Sequence, residues 1–140
     1  MLPVAEGILI LKICLAAVLG MIIGFERELH FKPAGLRTHA LVCMGSALFA
    51  IISLSFTTDA ARVAAGIVTG IGFLGAGAIF HKREGVSGLT TAADLWVVAA
   101  VGLAVGIGMY TAAIITTVLV FVILEYGRTF EEKSIKSKKR

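Results

Sequence analysis

Long apolar segments alternate with short polar ones along the whole chain. A bilayer core of about 30 Å is crossed by about 20 helical residues, and the apolar segments come close to that length. The last of them, Leu89 to Glu125, is too long for one span and divides at Gly106-Ile107-Gly108, where small residues favour a turn. We therefore predict an all-α integral membrane protein with five transmembrane helices. Their approximate ranges are 7–25, 38–57, 62–80, 89–105 and 110–126.

The basic residues predict how these spans are oriented. With five spans, the segments that follow the first, third and fifth spans share one face, and they carry most of the Lys and Arg: Arg27, Lys32, Arg37, Lys82, Arg83, Arg128, Lys133, Lys136, Lys138, Lys139 and Arg140. The opposite face has only Arg62 near a span end, and Lys12 lies within the first span. Cytoplasmic loops carry an excess of basic residues, so the N-terminus is predicted outside and the C-terminus in the cytoplasm. Four spans would split the basic segments between both faces.

Composition agrees with this class of protein. The chain is 58% hydrophobic and 16% charged, whereas soluble domains are about a quarter charged. The net charge of +4 therefore serves orientation, and we expect no nucleic-acid binding. Residues 1–126 are predicted to form one membrane domain, and residues 127–140 a short basic cytoplasmic tail.

Glycine is concentrated in the third span. Gly70-Ile71-Gly72-Phe73-Leu74-Gly75 matches G-x-G-x-x-G, but that motif binds dinucleotides only between a strand and a helix. Close helix packing is the favoured interpretation, and the alternative is a narrow path or a flexible gate. The glycines concerned are Gly66, Gly70, Gly72, Gly75 and Gly77. Gly20 and Gly24 form a further GxxxG pair in the first span.

Asp94 is the most informative single residue, because an acid within a span is costly and is a functional candidate. Thr90 and Thr91 precede it and could supply oxygens. One hypothesis gives Asp94 a contact with a cation, a proton or a partner inside the bundle. The other makes it a hydrogen-bonded link between helices, or a residue close enough to the interface to meet water.

Charged residues also flank the spans. Glu26, Arg27 and Glu28 end the first span, and with Lys32 and Arg37 they are predicted to form an ion-pair network at the inner face. Asp59 is expected to cap the third helix and to pair with Arg62. The histidines match no zinc-binding spacing, and we expect solvation at the interface for His30, His39 and His81.

No nucleophile–base pair, phosphate-binding loop or metal-ligand cluster is evident in the sequence. We therefore expect no enzymatic activity and no cofactor, with Mg²⁺ as the one ion to consider.

Three segments together resemble the membrane domain of the MgtC/SapB family: GFERELHFKPAGLRTHALVCMGSALF, RVAAGIVTGIGFLGAGAIF and VSGLTTAADLW. The resemblance implies a multi-pass inner-membrane protein linked to magnesium homeostasis, to growth in low magnesium and, in pathogens, to survival in the host. It also implies a modulator of other membrane complexes such as ATP synthase. The matching positions are Glu26 to Glu28, Lys32 to Arg37, Asp59, Arg62, the glycines of the third span and Leu89 to Trp96. Gly66 and Asp94 depart from the Gln and the neutral polar residue frequent in the family.

Two functional hypotheses follow. The first is a non-enzymatic modulator that acts through spans three and four, with Asp94 as a polar anchor. The second is a small Mg²⁺ carrier or channel, with Asp94 and Asp59 lining the route. Mg²⁺ prefers six oxygen ligands, so a carrier would have to pool acids from several copies. A homo-oligomer in the lipid bilayer is expected in either case, and a purely structural scaffold is a third possibility.

Overall fold

Each predicted span falls on one helix of the computed structural model, which describes residues 3–56, 60–82 and 85–138. The helices are α1 (Pro3–Leu29), α2 (Leu36–Ser53), α3 (Ala60–Gly77), α4 (Leu89–Ile107) and α5 (Tyr110–Lys138). Strands β1 (Phe80–Lys82) and β2 (Gly85–Ser87) lie between α3 and α4.

Four of these helices are long and apolar enough to cross a membrane. They are Glu6–Leu29, Leu36–Ser53, Leu89–Ile107 and Tyr110–Arg128. The third apolar helix is shorter, Ala61–Gly77. The predicted all-α membrane fold is therefore confirmed at this level, whereas the number of five spans and the orientation of the termini stay predictions.

The helix boundaries differ from the predicted spans at two places. α3 ends at Gly77 instead of Phe80, because Phe80 pairs with Ser87 in an antiparallel hairpin that the sequence analysis did not predict. α5 continues to Lys138, well beyond the predicted end at Tyr126. Its polar extension is rich in Glu and Lys, which are good helix formers, so the helix continues where the apolar segment ends.

Two glycines with positive φ delimit α4. Gly88 precedes the helix with φ of 91° and lies directly against the carbonyl of Ala78, where a side chain would not fit. Gly108 ends the helix with the same φ, and its N–H bonds to the carbonyl of Val105. Both positions need the left-handed conformation that glycine adopts without strain. The predicted turn between the last two spans lies at Gly108.

Helix α2 is held between two GxxxG pairs. Gly20 and Gly24 of α1 lie against His39 and Cys43 on one side, and a Cβ at Gly20 would stand 2.8 Å from the Cβ of Cys43. On the other side, Gly102 and Gly106 of α4 face the backbone of α2 at Cys43 and Ala47. Because these glycines have no side chains, the three backbones approach closely, and α1, α2 and α4 form the centre of the bundle.

The glycines of α3 do not pack in this way, so the packing prediction is wrong for four of them within the described chain. A Cβ at Gly66, Gly70, Gly72 or Gly77 would meet nothing within 4 Å, and only Gly75 has a neighbour, Ala92 at 3.6 Å. The physical reason is that α3 lies at the outside of the bundle. It packs through Ile71, which together with Ala78 just after the helix joins Leu95 and Ala99 of α4 in a small apolar cluster.

A groove of about 550 Å³ separates α2 from α3. Apolar side chains line it together with Gly45, Gly66 and Gly70. The groove leaves one face of α3, from Val63 to Leu74, open beside α2. We refer to it below as the α2–α3 groove.

The ammonium group of Lys12 has a hydrogen-bond acceptor in a neighbouring helix. Its Nζ donates a 2.9 Å hydrogen bond to the carbonyl oxygen of Gly106, near the end of α4. Helix C-terminal carbonyls attract cations, and this ammonium links α1 to the end of α4.

Candidate functional site

Five charged or polar side chains are buried together where α1 ends and α2 and α4 begin. They form the buried charge cluster: Glu26, Arg27, His39, Thr91 and Asp94. All are at most 4% exposed. Three helices contribute to it, since the first turns of α2 and α4 lie beside the last turns of α1. A group of charges this deeply buried is stable only if its members neutralise one another.

Asp94 has a nitrogen at each of its carboxylate oxygens. Oδ2 lies 2.9 Å from Nε of Arg27, and Oδ1 lies 3.1 Å from Nε2 of His39. The contact with Arg27 is an ion pair without hydrogen-bond alignment. A divalent cation at Asp94 would therefore have to displace Arg27 or His39.

Arg27 connects Asp94 to two other members of the cluster. Its Nη2 donates to Oγ1 of Thr91 at 3.2 Å, and its Nη1 lies 3.4 Å from Oε2 of Glu26. The planar guanidinium holds its donors in a fixed arrangement. Nε and Nη2 face residues of α4, and Nη1 faces Glu26 of α1. Arg27 thus links the end of α1 to the beginning of α4.

His39 faces an acceptor with each ring nitrogen. Nδ1 lies 2.9 Å from the carbonyl oxygen of Gly35, and Nε2 lies 3.1 Å from Asp94. A carbonyl can only accept, so the contact with Gly35 is a hydrogen bond in which Nδ1 donates. His39 thus links the first turn of α2 to the carboxylate of Asp94 in α4.

The structure brings together several residues that the sequence analysis singled out. Glu26, Arg27, Thr91 and Asp94 meet in the buried charge cluster. Thr90 is exposed and does not take part. Because Asp94 is 4% exposed, it faces the other helices of this chain and is not itself available to a partner protein.

Other predicted residues lie away from the cluster. Arg37 and Lys32, predicted to belong to the same ion-pair network as Glu26, are exposed. Glu28 accepts a 2.8 Å hydrogen bond from the N–H of Leu36 and so caps the start of α2. Arg62 is exposed in the first turn of α3. Asp59 lies outside the described residues, so its capping, its pairing and its metal-binding role stay predictions.

The expectation that His39 is solvated is wrong, because its side chain is fully buried against Asp94. The positions of His39 and Asp94 in their helices could have indicated this contact. His39 and Asp94 both lie about one turn into helices that start on the same predicted face, so the two side chains share the same depth.

A second group of possible ligands lies beside the cluster. Glu26 and His30 of α1 and Glu125 of α5 each offer one ligand atom, and these atoms lie within 4.8 Å of one another. Among the described residues, this is the group whose side chains could hold a metal ion.

Comparison with known proteins gives a consistent result. The model of the MgtC family matches residues 13–133. A protein of Escherichia coli (strain K12) named "Putative magnesium transporter YhiD" is 47% identical over 126 residues, which cover 83% of this chain and 59% of the relative. Protein MgtC of Brucella abortus (strain 2308) is 48% identical over 114 residues, or 79% of this chain and 48% of the relative.

Protein MgtC of Salmonella typhimurium (strain 14028s / SGSC 2262) is 45% identical over 112 residues, covering 79% of this chain and 48% of the relative. The chain thus spans about half the length of the curated relatives it matches. No solved structure gives a significant match. The resemblance carried by the three sequence segments is confirmed, and the chain belongs to the MgtC family.

Proposed function

We propose that this protein is a non-enzymatic modulator of other membrane complexes in magnesium homeostasis, and not itself a carrier of Mg²⁺. The observation that carries the proposal is that both carboxylate oxygens of Asp94 are already occupied, one by Arg27 and the other by His39. The link to magnesium rests on family membership and on the name of the Escherichia coli relative. The proposed location is the inner membrane, with five spans and the N-terminus outside.

The chemistry of the buried charge cluster argues against a magnesium route. Mg²⁺ demands nearly octahedral oxygen coordination and gives up water reluctantly. At Asp94 the available neighbours are a guanidinium, an imidazole and one hydroxyl. Two of the three repel or exclude a hard cation, so the cluster is better suited to joining helices than to conducting ions.

The surface that supports a modulator is on α3. The α2–α3 groove is apolar and carries Gly66 and Gly70 in open positions. In lipid, small residues let another helix approach closely. The contact surface of the modulator hypothesis is therefore assigned to α3 with α2, and Asp94 acts indirectly by holding α1, α2 and α4 in place. A membrane complex such as ATP synthase, or a second copy of this chain, are the candidate partners.

The carrier hypothesis is tested by Mg²⁺ flux into sealed proteoliposomes that contain a magnesium indicator. We expect wild type and Asp94→Asn to give the same signal as empty liposomes, because Asp94 is not open to the ion. Circular dichroism of the reconstituted protein, and an ionophore that releases the gradient, are the controls. Saturable flux that Asp94→Asn abolishes would contradict the proposal and establish the carrier.

The modulator hypothesis is tested by filling the α2–α3 groove. Gly70→Leu places a large side chain in the groove, whereas Gly72→Leu adds the same side chain at an open position of α3 that does not line it. In cells that depend on this protein for growth in low magnesium, we expect Gly70→Leu to abolish growth and Gly72→Leu to preserve it. Equal membrane levels of both variants are required, and equal growth of both would contradict the assigned surface.

A further inference from the structure

The group formed by Glu26, His30 and Glu125 joins two helices that are far apart in sequence. Glu26 and His30 are one turn apart on the same face of α1, and Glu125 comes from α5. The three ligand atoms lie within 4.8 Å of one another. Ligands arranged tetrahedrally around an ion at about 2.0–2.2 Å are roughly 3.4 Å apart, so a modest contraction would place these side chains around one cation.

Glu26 contributes a buried oxygen that lacks a hydrogen bond. The residue is 2% exposed, and its Oε1 has no hydrogen-bond partner among the described residues. Its other oxygen, Oε2, faces Arg27 at 3.4 Å. An unsatisfied carboxylate oxygen at this depth is costly, and it lies 3.0 Å from Nδ1 of His30. Oε1 therefore faces the ring of His30, and the ligand atom of Glu125 lies within 4.8 Å of both residues' ligand atoms.

His30 is oriented in the way that metal-binding histidines usually are. Its Nδ1 lies 2.7 Å from the backbone carbonyl of Glu26, closer than it lies to Oε1. A ring that donates its Nδ1–H to a carbonyl keeps Nε2 as the lone-pair nitrogen, and this second contact fixes the tautomer of metal-binding histidines. In that tautomer, Nε2 is the atom that His30 would offer to a cation.

The ligand types select the class of metal. One imidazole and two carboxylates suit a first-row transition ion, since imidazole favours Zn²⁺ and its neighbours whereas Mg²⁺ favours oxygens alone. Arg128 lies 2.9 Å from Oε1 of Glu125 and offsets part of its charge. Glu125 and Arg128 are about one-third exposed or more, which gives an ion access from the membrane surface.

We propose that Glu26, His30 and Glu125 form a binding site for a divalent transition cation of the Zn²⁺ class, which links the end of α1 to α5. A bound ion would hold α5 against α1 next to the buried charge cluster, because Glu26 belongs to both groups. This site is separate from any magnesium flux, so its test and the flux test have independent outcomes.

The test is a titration of the purified full chain, without a polyhistidine tag, with Zn²⁺ in detergent, followed by calorimetry and by the thermal unfolding midpoint. We expect one saturable site per chain, reversed by a chelator, with a rise in the unfolding midpoint. His30→Gln and Glu125→Gln should each weaken binding by about tenfold or more. Glu28→Gln removes a nearby acid of α1 outside the group and should leave binding unchanged, since its amide oxygen can still accept from Leu36.

Several outcomes would overturn the proposal. One is the absence of saturable binding at millimolar Zn²⁺ in a folded protein. Another is equal binding by wild type, His30→Gln and Glu125→Gln, which would place the ion elsewhere. A third is displacement of Zn²⁺ by an equal concentration of Mg²⁺, which would contradict the assigned class of metal. Unfolding midpoints without metal check that each variant is folded before its affinity is interpreted.

Discussion

Replacing Arg27 by methionine is expected to lower the free energy of unfolding by about 3–5 kcal/mol, because it leaves a buried carboxylate without its cation. Nε of Arg27 lies 2.9 Å from Asp94, and both side chains are at most 4% exposed. Methionine keeps much of the apolar stem, so the expected loss reports mainly the charge and less the missing volume. The measurement is unfolding in mixed micelles with increasing dodecyl sulfate, followed by the fluorescence of Trp96, the single tryptophan.

Asp94→Asn provides the matched partner in a double-mutant cycle. The amide removes the charge at residue 94 but keeps an oxygen that can accept from Nε2 of His39. In the double variant, residue 94 no longer carries a carboxylate that needs a cation. We therefore expect its loss of unfolding free energy to be smaller than the sum of the losses in the two single variants. The coupling free energy should reach about 1–3 kcal/mol, the range for residues in one charge network. Strictly additive losses would show that the two side chains do not stabilise each other.

The second large effect concerns Gly102, where an alanine is expected to destabilise the protein by about 2–3 kcal/mol. Its Cβ would overlap the carbonyl oxygen of Cys43 and come within 2.9 Å of the Cβ of Ser46, so α2 and α4 would have to separate. Helix propensity alone predicts the opposite sign, because alanine is favoured over glycine by about 1 kcal/mol in a helix interior.

Gly72→Ala is the control for this prediction. Gly72 also lies in a helix interior, but a Cβ there meets no atom within 4 Å. The same substitution should therefore leave the free energy of unfolding unchanged or raise it by up to about 1 kcal/mol. A lower free energy of unfolding for Gly102→Ala and an unchanged or higher one for Gly72→Ala would demonstrate that the α2–α4 contact depends on close approach of the two backbones. Equal shifts in the same assay would rule out this account of the α2–α4 contact.

The elements of the fold that the sequence predicted are those with a strong local signal. Hydropathy located every helix, and Gly108 located the turn between α4 and α5. The β-hairpin was missed because strands of three residues in a polar loop have no alternating pattern to detect. The extension of α5 was missed because a helix can continue through polar residues beyond the end of its apolar segment.

Neither glycine density nor glycine spacing identified the glycines that pack, because Gly66 and Gly70 of α3 have the same four-residue spacing as the packed pairs. The third span has the most glycines, yet four of the five face open space. The close contacts come from two isolated pairs with four-residue spacing, Gly20 with Gly24 and Gly102 with Gly106. A flat stripe of glycines makes a close contact only where the fold places another helix against it, and the sequence of one segment does not report which helix lies there.

The candidate site was only partly predictable for a related reason. Glu26, Arg27 and Asp94 stood out as charges in or beside apolar segments, where their cost signals a role. His39 and Glu125 carry no such signal individually, because each lies near a polar boundary. Their partners come from other helices, and the distances that define both groups arise only when α1, α2, α4 and α5 pack.

The buried charge cluster also has a consequence for how the protein is made. Its charges reach the membrane at different times, since α1 and α2 leave the ribosome several seconds before α4 at about 5–20 residues per second. Until Asp94 arrives, Arg27 and His39 have no carboxylate from α4 and must stay hydrated at the membrane surface. Arrival of α4 is what allows the first two helices to settle, so chains that stop before residue 94 should be recognised and degraded as incomplete.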